Sequence, residues 1–210
     1  TLFTGNPVRE DIVITPNNNT GKDFGLDADK FTIFISGGSQ GSKPINSHLL
    51  RNLSFYKNLN TQLIWQCGQR DYNFISAQDL GSNIHLYDFI KDIGKIYAIS
   101  DIVISRSGAL SVSEILVCGK ASILIPYPQA AADHQHINAK ATTDAGASIL
   151  VPQKDLELGV LEETVMSLFT NPEKIKSKAN IAKVIGATKG ASKITSELIA
   201  AVKRISAPSK

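Results

Sequence analysis

The run Asp101-Ile-Val-Ile-Ser105-Arg-Ser-Gly-Ala-Leu-Ser-Val-Ser-Glu114 is where an apolar strand gives way to a polar helix start. Three consecutive branched apolar residues predict a strand at 101–105 that is buried on both faces. The chain leaves it through Arg106, Ser107 and Gly108, then enters a helical segment that reaches Cys118 and stops at Gly119. Ser107 is placed to cap that helix, with Gly108 and Ala109 in its first turn. Small residues there keep backbone N–H groups open, and the positive end of a helix suits a diphosphate. Glu114 falls about 7–8 Å up the axis at ~1.5 Å per residue. That is close to the offset between a nucleotide's phosphates and its ribose, where a carboxylate accepts from two vicinal hydroxyls. A blander reading uses the same letters. Ser111-x-x-Glu114 also spells a capping box, but it would leave a helix of about seven residues, short against the usual ~11.

Working outward, strands are predicted at 31–35, 62–66, 83–87, 101–105, 121–125 and 147–151. Helices are predicted at 44–53, 71–78, 90–100, 109–118, 133–145, 158–169 and 172–202, the last broken near 186–190. This alternation implies an α/β fold: a Rossmann-like parallel sheet with helices on both faces and right-handed crossovers. Residues 1–16 carry Asn and Pro and read as a hinge or linker, leaving 17–210 as the domain. Ligands of such sheets lie outside the carboxyl ends of the strands. The loops to inspect are therefore 36–42, 87–90, 105–109 and 126–133.

The composition narrows the class. With 210 residues, 42% hydrophobic and 20% charged, the chain can bury a full core. A net charge of +3, from 22 basic and 19 acidic residues, is dispersed and argues against a nucleic-acid partner. Cys67 and Cys118 show no ligand spacing and read as core thiols of a reducing compartment. No apolar run approaches the ~20 residues of a membrane span, and no signal-peptide pattern is visible. The first residues are Thr1 and Leu2, without Met, which suggests a piece of a longer protein.

Three further stretches carry candidate chemistry. Gly37-Gly-Ser-Gln-Gly-Ser42 follows a buried strand, and its glycines allow a tight turn and a close approach to phosphate. Its spacing is not that of the dinucleotide fingerprint, and a plain strand-to-helix turn is the alternative. Pro126-Tyr-Pro-Gln-Ala-Ala-Ala-Asp-His-Gln-His-Ile-Asn138 sets amides and imidazoles at a strand end, where they suit sugar hydroxyls. His134 and His136 are two apart and cannot share a helix face, which argues against a metal site. Asp133 as a plain N-cap before a solvated turn is the alternative. In Thr4-Gly-Asn-Pro-Val-Arg9, Arg9 is either an exposed turn residue or a guanidinium near a diphosphate.

In order and spacing, TGNPVR, GGSQGS with Asn46, YDFI, SRSGALSVSE and DHQHINA together resemble the MurG family. Its members are the bacterial UDP-N-acetylglucosamine–N-acetylmuramyl-(pentapeptide) pyrophosphoryl-undecaprenol N-acetylglucosamine transferases, which are GT-B glycosyltransferases of peptidoglycan synthesis. The resemblance runs from Thr4 to about Leu198 and covers only the carboxyl-terminal, donor-binding half of that enzyme. It implies one half of a GT-B fold that binds UDP-GlcNAc. The absent amino-terminal half would bind the lipid I acceptor and carry the general base, so no catalytic residue is expected here. By the same resemblance Arg9 and Ser39 would lie near the diphosphate. Ile90 would hold the uracil edge through its backbone. The start of the helix, Ala109, Leu110, Ser111, Val112 and Ser113, would face the phosphates, Glu114 the ribose and Gln135 the GlcNAc hydroxyls. Arg106 and His134 would be neighbours of the site.

The implied reaction is an inverting β-1,4 transfer of GlcNAc from UDP-GlcNAc to lipid I, giving lipid II, with no metal or other cofactor. The implied location is cytoplasmic, peripheral on the inner face of the cell membrane, with membrane contact indirect. Other readings are a stand-alone donor subunit of a two-subunit UDP-GlcNAc transferase, a UDP-GlcNAc 2-epimerase relative, and a non-catalytic nucleotide-binding module. The epimerase reading needs acid and base carboxylates in the cleft, where only Glu114 is well placed.

Overall fold

Short runs that are apolar on both faces pair side by side and then need a helix on each side. The computed structural model, which describes residues 5–13, 20–27, 29–187, 195–196 and 199, shows this arrangement. Four strands are buried at every position: β1 Thr32–Ser36, β2 Gln62–Gln66, β4 Ile102–Ser105 and β5 Ala121–Leu124. The edge strands β3 Ile84–Tyr87 and β6 Ser148–Leu150 are partly exposed. The sheet order is β3-β2-β1-β4-β5-β6, and every neighbouring pair is parallel. The chain thus winds from the centre to one edge, returns, and winds to the other. The reversal lies between β1 and β4, where Ser36 pairs with Ser105. Loops that leave these two ends in opposite directions open a crevice.

Among the described residues up to 187 the helices are α1 Glu10–Val13, α2 Lys43–Arg51, α3 Leu53–Asn58, α4 Gln69–Ser76, α5 Ile93–Ile99, α6 Ala109–Val117, α7 His134–Asp144, α8 Val160–Phe169 and α9 Pro172–Gly186. Alternation along the strands divides the core in two. Ile33, Ile35, Trp65 and Ile104 pack with Leu49 of α2, Tyr56 of α3 and Val165 of α8. Phe34, Ile64 and Val103 pack with Ile12 of α1, Tyr97 of α5 and Ile115 of α6. Each fully buried side chain of this size contributes about 1.5–3 kcal/mol.

Some details differ from the sequence expectation. The helix expected at 44–53 ends at Arg51, because Asn52 turns back and donates its amide to the His48 carbonyl; α3 then starts afresh. Within the expected hinge or linker, residues 5–13 are packed: Val8 and Ile12 are buried among the second core cluster. Thr4, 14–16 and most of the expected helix beyond 187 lie outside the described residues. Short 3-10 turns, Ala131–Asp133 and Gln153–Leu158, precede α7 and α8.

Candidate functional site

Two open lobes meet at the crevice. One, of about 430 Å³, is lined by Arg9, Ser36, Gln66, Ile90, Tyr97, Leu110 and Glu114. The other, of about 550 Å³, is lined by Lys43, Arg106, Gly108, Tyr127 and Gln135. Gly38, Ser39 and Ser111 line both, so the β1 loop and the start of α6 form the junction. The β1 loop reaches that position through its glycines. A Cβ on Gly41, at φ +76°, would collide with the Cys67 carbonyl, whereas Gly38 faces open space.

Glu114 sits half-buried one turn and a half into α6. Burial pushes its carboxyl up from the ordinary range; the Tyr97 hydroxyl, which donates to Oε2 at 3.2 Å, and the charge of Arg9 oppose that. Arg9 is carried by the 5–13 segment, which Asn6 fastens to α6. The Asn6 Nδ2 donates to Ser113 Oγ at 2.8 Å and to the Ala109 carbonyl at 3.3 Å. Helix α6 begins at Ala109 with Gly108 at its N-cap and no side chain bonded there. A Cβ on Gly108 would meet nothing within 4 Å. The first N–H groups of α6 are thus bare toward the lobes.

Several expected residues sit differently. Ser107 does not cap α6; it is fully buried and its hydroxyl donates to the Gln135 carbonyl at 2.8 Å. Asn138 donates to the Ser107 carbonyl, so Ser107 locks α7 against the start of α6. The capping box fails because the helix begins two residues before Ser111. Of the run 109–113, Leu110 and Ser111 line the lobes. Ala109 does not, Val112 points into the core, and Ser113 faces the 5–13 segment. Residues about 100° apart round a helix cannot all face one ligand. His134 lines neither lobe: it is exposed, with its Nδ1 2.6 Å from the Ala131 carbonyl. Ile90 lines the first lobe, yet its N–H already donates to Gln66 Oε1 at 3.0 Å, leaving the carbonyl for an incoming base.

Arg106 is a brace as well as a wall. Its guanidinium donates to the carbonyls of Ile125 and Pro126, to Ser42 Oγ and to Gln153 Oε1, and lies 5.6 Å from the Tyr127 ring centre. Burial brings it down to about 10, so it stays charged at neutral pH. Among the described residues it has no carboxylate partner, so its charge is not cancelled within the fold. Ser39 lies at the junction of the two lobes and Gln135 lines the second. The Oε1 of Gln135 accepts from the Tyr127 N–H, and its amide nitrogen has no partner among the described residues. Asn46 is structural: its Oδ1 accepts from Trp65 and its Nδ2 donates to the Cys67 carbonyl and Asp71.

The residues sequence reasoning missed are Gln66, Tyr97 and Asn6. Gln66 ties together the loops of β1 and β3, donating to Ser36 Oγ and the Gly38 carbonyl while holding Ile90. A polar residue ending a buried strand at its carboxyl end was the available signal. Among the described residues no group of three His, Cys, Asp or Glu converges as a metal site.

Known proteins share this architecture. The Glycosyltransferase family 28 C-terminal domain matches residues 32–198. A UDP-N-acetylglucosamine--N-acetylmuramyl-(pentapeptide) pyrophosphoryl-undecaprenol N-acetylglucosamine transferase of Flavobacterium psychrophilum is 42% identical over 161 residues, covering 74% of this chain and 43% of the relative. Its namesake in Chlorobaculum parvum is 35% identical over 200 residues, covering 95% and 54%. The crystal structure of Acinetobacter baumannii MurG superposes with a TM-score of 0.72 at 29% identity, covering 91% of this chain and 55% of that one. A Rickettsia africae glycosyltransferase, at 17% identity and a TM-score of 0.68, shares the fold. The chain spans about half the length of the curated relatives it matches. With four-fifths of its length matched by that domain and its sheet laid out as in these glycosyltransferases, the chain belongs to glycosyltransferase family 28.

Proposed function

We propose that this chain is the donor-binding half of an inverting N-acetylglucosaminyltransferase. It binds UDP-GlcNAc, and a second half carries lipid I and the base that activates its hydroxyl; the product is lipid II. The observation that carries this is the two-lobed cleft whose lobes join at Ser39, Ser111 and the bare start of α6. The uridine takes the lobe of Ile90 and Glu114, with the base against the Ile90 carbonyl and the ribose hydroxyls on the carboxylate. The diphosphate lies at the junction, and the GlcNAc enters the lobe of Gln135. Residues 17–210 serve as the donor domain and 1–16 as the connection to the acceptor half.

The chemistry required of this half is electrostatic. As the sugar C1–O bond breaks, negative charge gathers on the diphosphate. The α6 N–H groups, Arg9 and the uncancelled charge of Arg106 favour that charge without having to reorganise. The acceptor lipid places the working enzyme on the inner face of the membrane. No helix among the described residues is long and apolar enough to cross it.

Calorimetry of UDP-GlcNAc against UDP-GalNAc tests this. Glu114→Ala is expected to weaken UDP itself by about 1–3 kcal/mol, the range for a lost charge-assisted hydrogen bond. Gln135→Ala is expected to erode the preference between the two sugars. Variants that bind like the parent would remove the assignment.

A further inference from the structure

Tyr97 belongs to α5 and packs as a core residue. It is 2% exposed, with its ring edge-on to Phe34 at 5.7 Å between centres. A phenylalanine would fill that space equally well. What the hydroxyl adds is one donor, and that donor goes out of the core to Glu114 Oε2 at 3.2 Å. Tyr97 and Glu114 line the same lobe.

We propose that Tyr97 is a positioning residue for the ribose: its hydroxyl holds one carboxylate oxygen of Glu114 so that the other stays turned to the cleft and ionised. This rests on Glu114 being the ribose ligand. Charges also face Glu114. Arg9 and Asp11, 3.5 Å apart on the 5–13 segment, act on it with opposite signs, Arg9 favouring the ionised carboxylate and Asp11 opposing it. Cys118, one turn further along α6, has its thiol pushed up to about 12 by burial and remains neutral. Tyr97 is itself raised well above its ordinary value by burial, so it keeps its proton and donates at every relevant pH. A fixed carboxylate loses less freedom when a diol arrives than one that must be ordered by the ligand.

The test compares the parent, Tyr97→Phe and Glu114→Gln. Each is titrated with UDP and with its 2′-deoxy analogue from the ordinary glutamate range up to neutral pH, because burial raises the Glu114 carboxyl. Tyr97→Phe is expected to melt near the parent and to bind UDP about 2- to 12-fold more weakly, the worth of one hydrogen bond. Part of the preference for UDP over the deoxy analogue should go with it. Its affinity should also start to fall at a higher pH as the solution is acidified, because the hydroxyl favours the ionised carboxyl and its loss lets Glu114 take a proton sooner. A merely structural tyrosine would leave that acid limb in place.

If Glu114→Gln loses the preference while Tyr97→Phe keeps the parent's affinity, preference and acid limb, the positioning role is overturned and the ribose assignment survives. If Glu114→Gln also keeps the preference, both fall. In the ligand-free protein, the NMR titration midpoint of the Glu114 carboxyl must rise in Tyr97→Phe; an unchanged midpoint overturns the proposal. Should that variant not fold, fluorotyrosine at 97, a stronger donor, must lower the midpoint instead, and no movement overturns it.

Discussion

Glu114 holds a charge where the surrounding fold opposes one. Burial raises its carboxyl, so the folded protein binds that proton more tightly than the unfolded chain does. The linkage sign follows. At pH values above its raised folded value, Glu114 lowers the stability of the ligand-free protein, and that loss is recovered as the pH falls through the raised value toward the ordinary glutamate range. Glu114→Gln keeps an acceptor for Tyr97 and removes the charge. It is expected to raise the urea midpoint of the ligand-free protein at neutral pH, to flatten the acid-side gain, and to weaken UDP. Paired urea and calorimetric titrations would show the two effects with opposite signs, as for residues kept for binding at a cost in stability. A variant that lost both stability and affinity would place Glu114 among the structural residues.

At the scale of elements, two glycines on neighbouring loops part company. Gly41 lies at φ +76° with the Cys67 carbonyl where a Cβ would be, while Gly108 has ordinary dihedrals and open space. Gly41→Ala is expected to cost about 1–3 kcal/mol of stability through backbone strain. Gly108→Ala should stay within about 0.5 kcal/mol of the parent and still weaken UDP-GlcNAc, since its methyl enters the space before α6. Thermal melts and calorimetry on the two variants would separate them. This contrast also marks what the sequence disclosed. Strands such as Gln62–Gln66 were legible because branched and aromatic residues fill both faces of a buried ribbon. Glu114 stands out in the sequence as a carboxylate a turn and a half into the helix after Ile104, whereas Ser39 is named by the family resemblance alone. The family resemblance puts Ala109, Val112 and Ser113 at the phosphates, and only winding the helix turns them away from the lobes. Tyr97 stayed hidden because it sits in an apolar run and its partner is 17 residues away; Gln66 shows its polarity at a strand end, but the loop it holds begins 24 residues on. The short α3 was hidden by an asparagine that ends one helix and starts the next.

At the scale of the whole molecule, the site owes its existence to strand order. Only between β1 and β4 do consecutive loops diverge, and both lobes lie there. A ligand that spans them ties the two halves of the sheet together. UDP-GlcNAc at one hundred times its Kd is expected to add about 2.7 kcal/mol to unfolding, read as a thermal shift. UDP alone should give most of that shift and free GlcNAc almost none, because the charged centre of the ligand meets the α6 start. A larger shift with free sugar would argue for a different occupant. The packing of residues 5–13 has a practical corollary. Arg9 furnishes part of one wall, while Val8 and Ile12 shield Val112 and Ile115. Anyone shortening this polypeptide for crystals or screening who begins at Thr20 would amputate a flank of the very groove under study and strip the oil from beneath it.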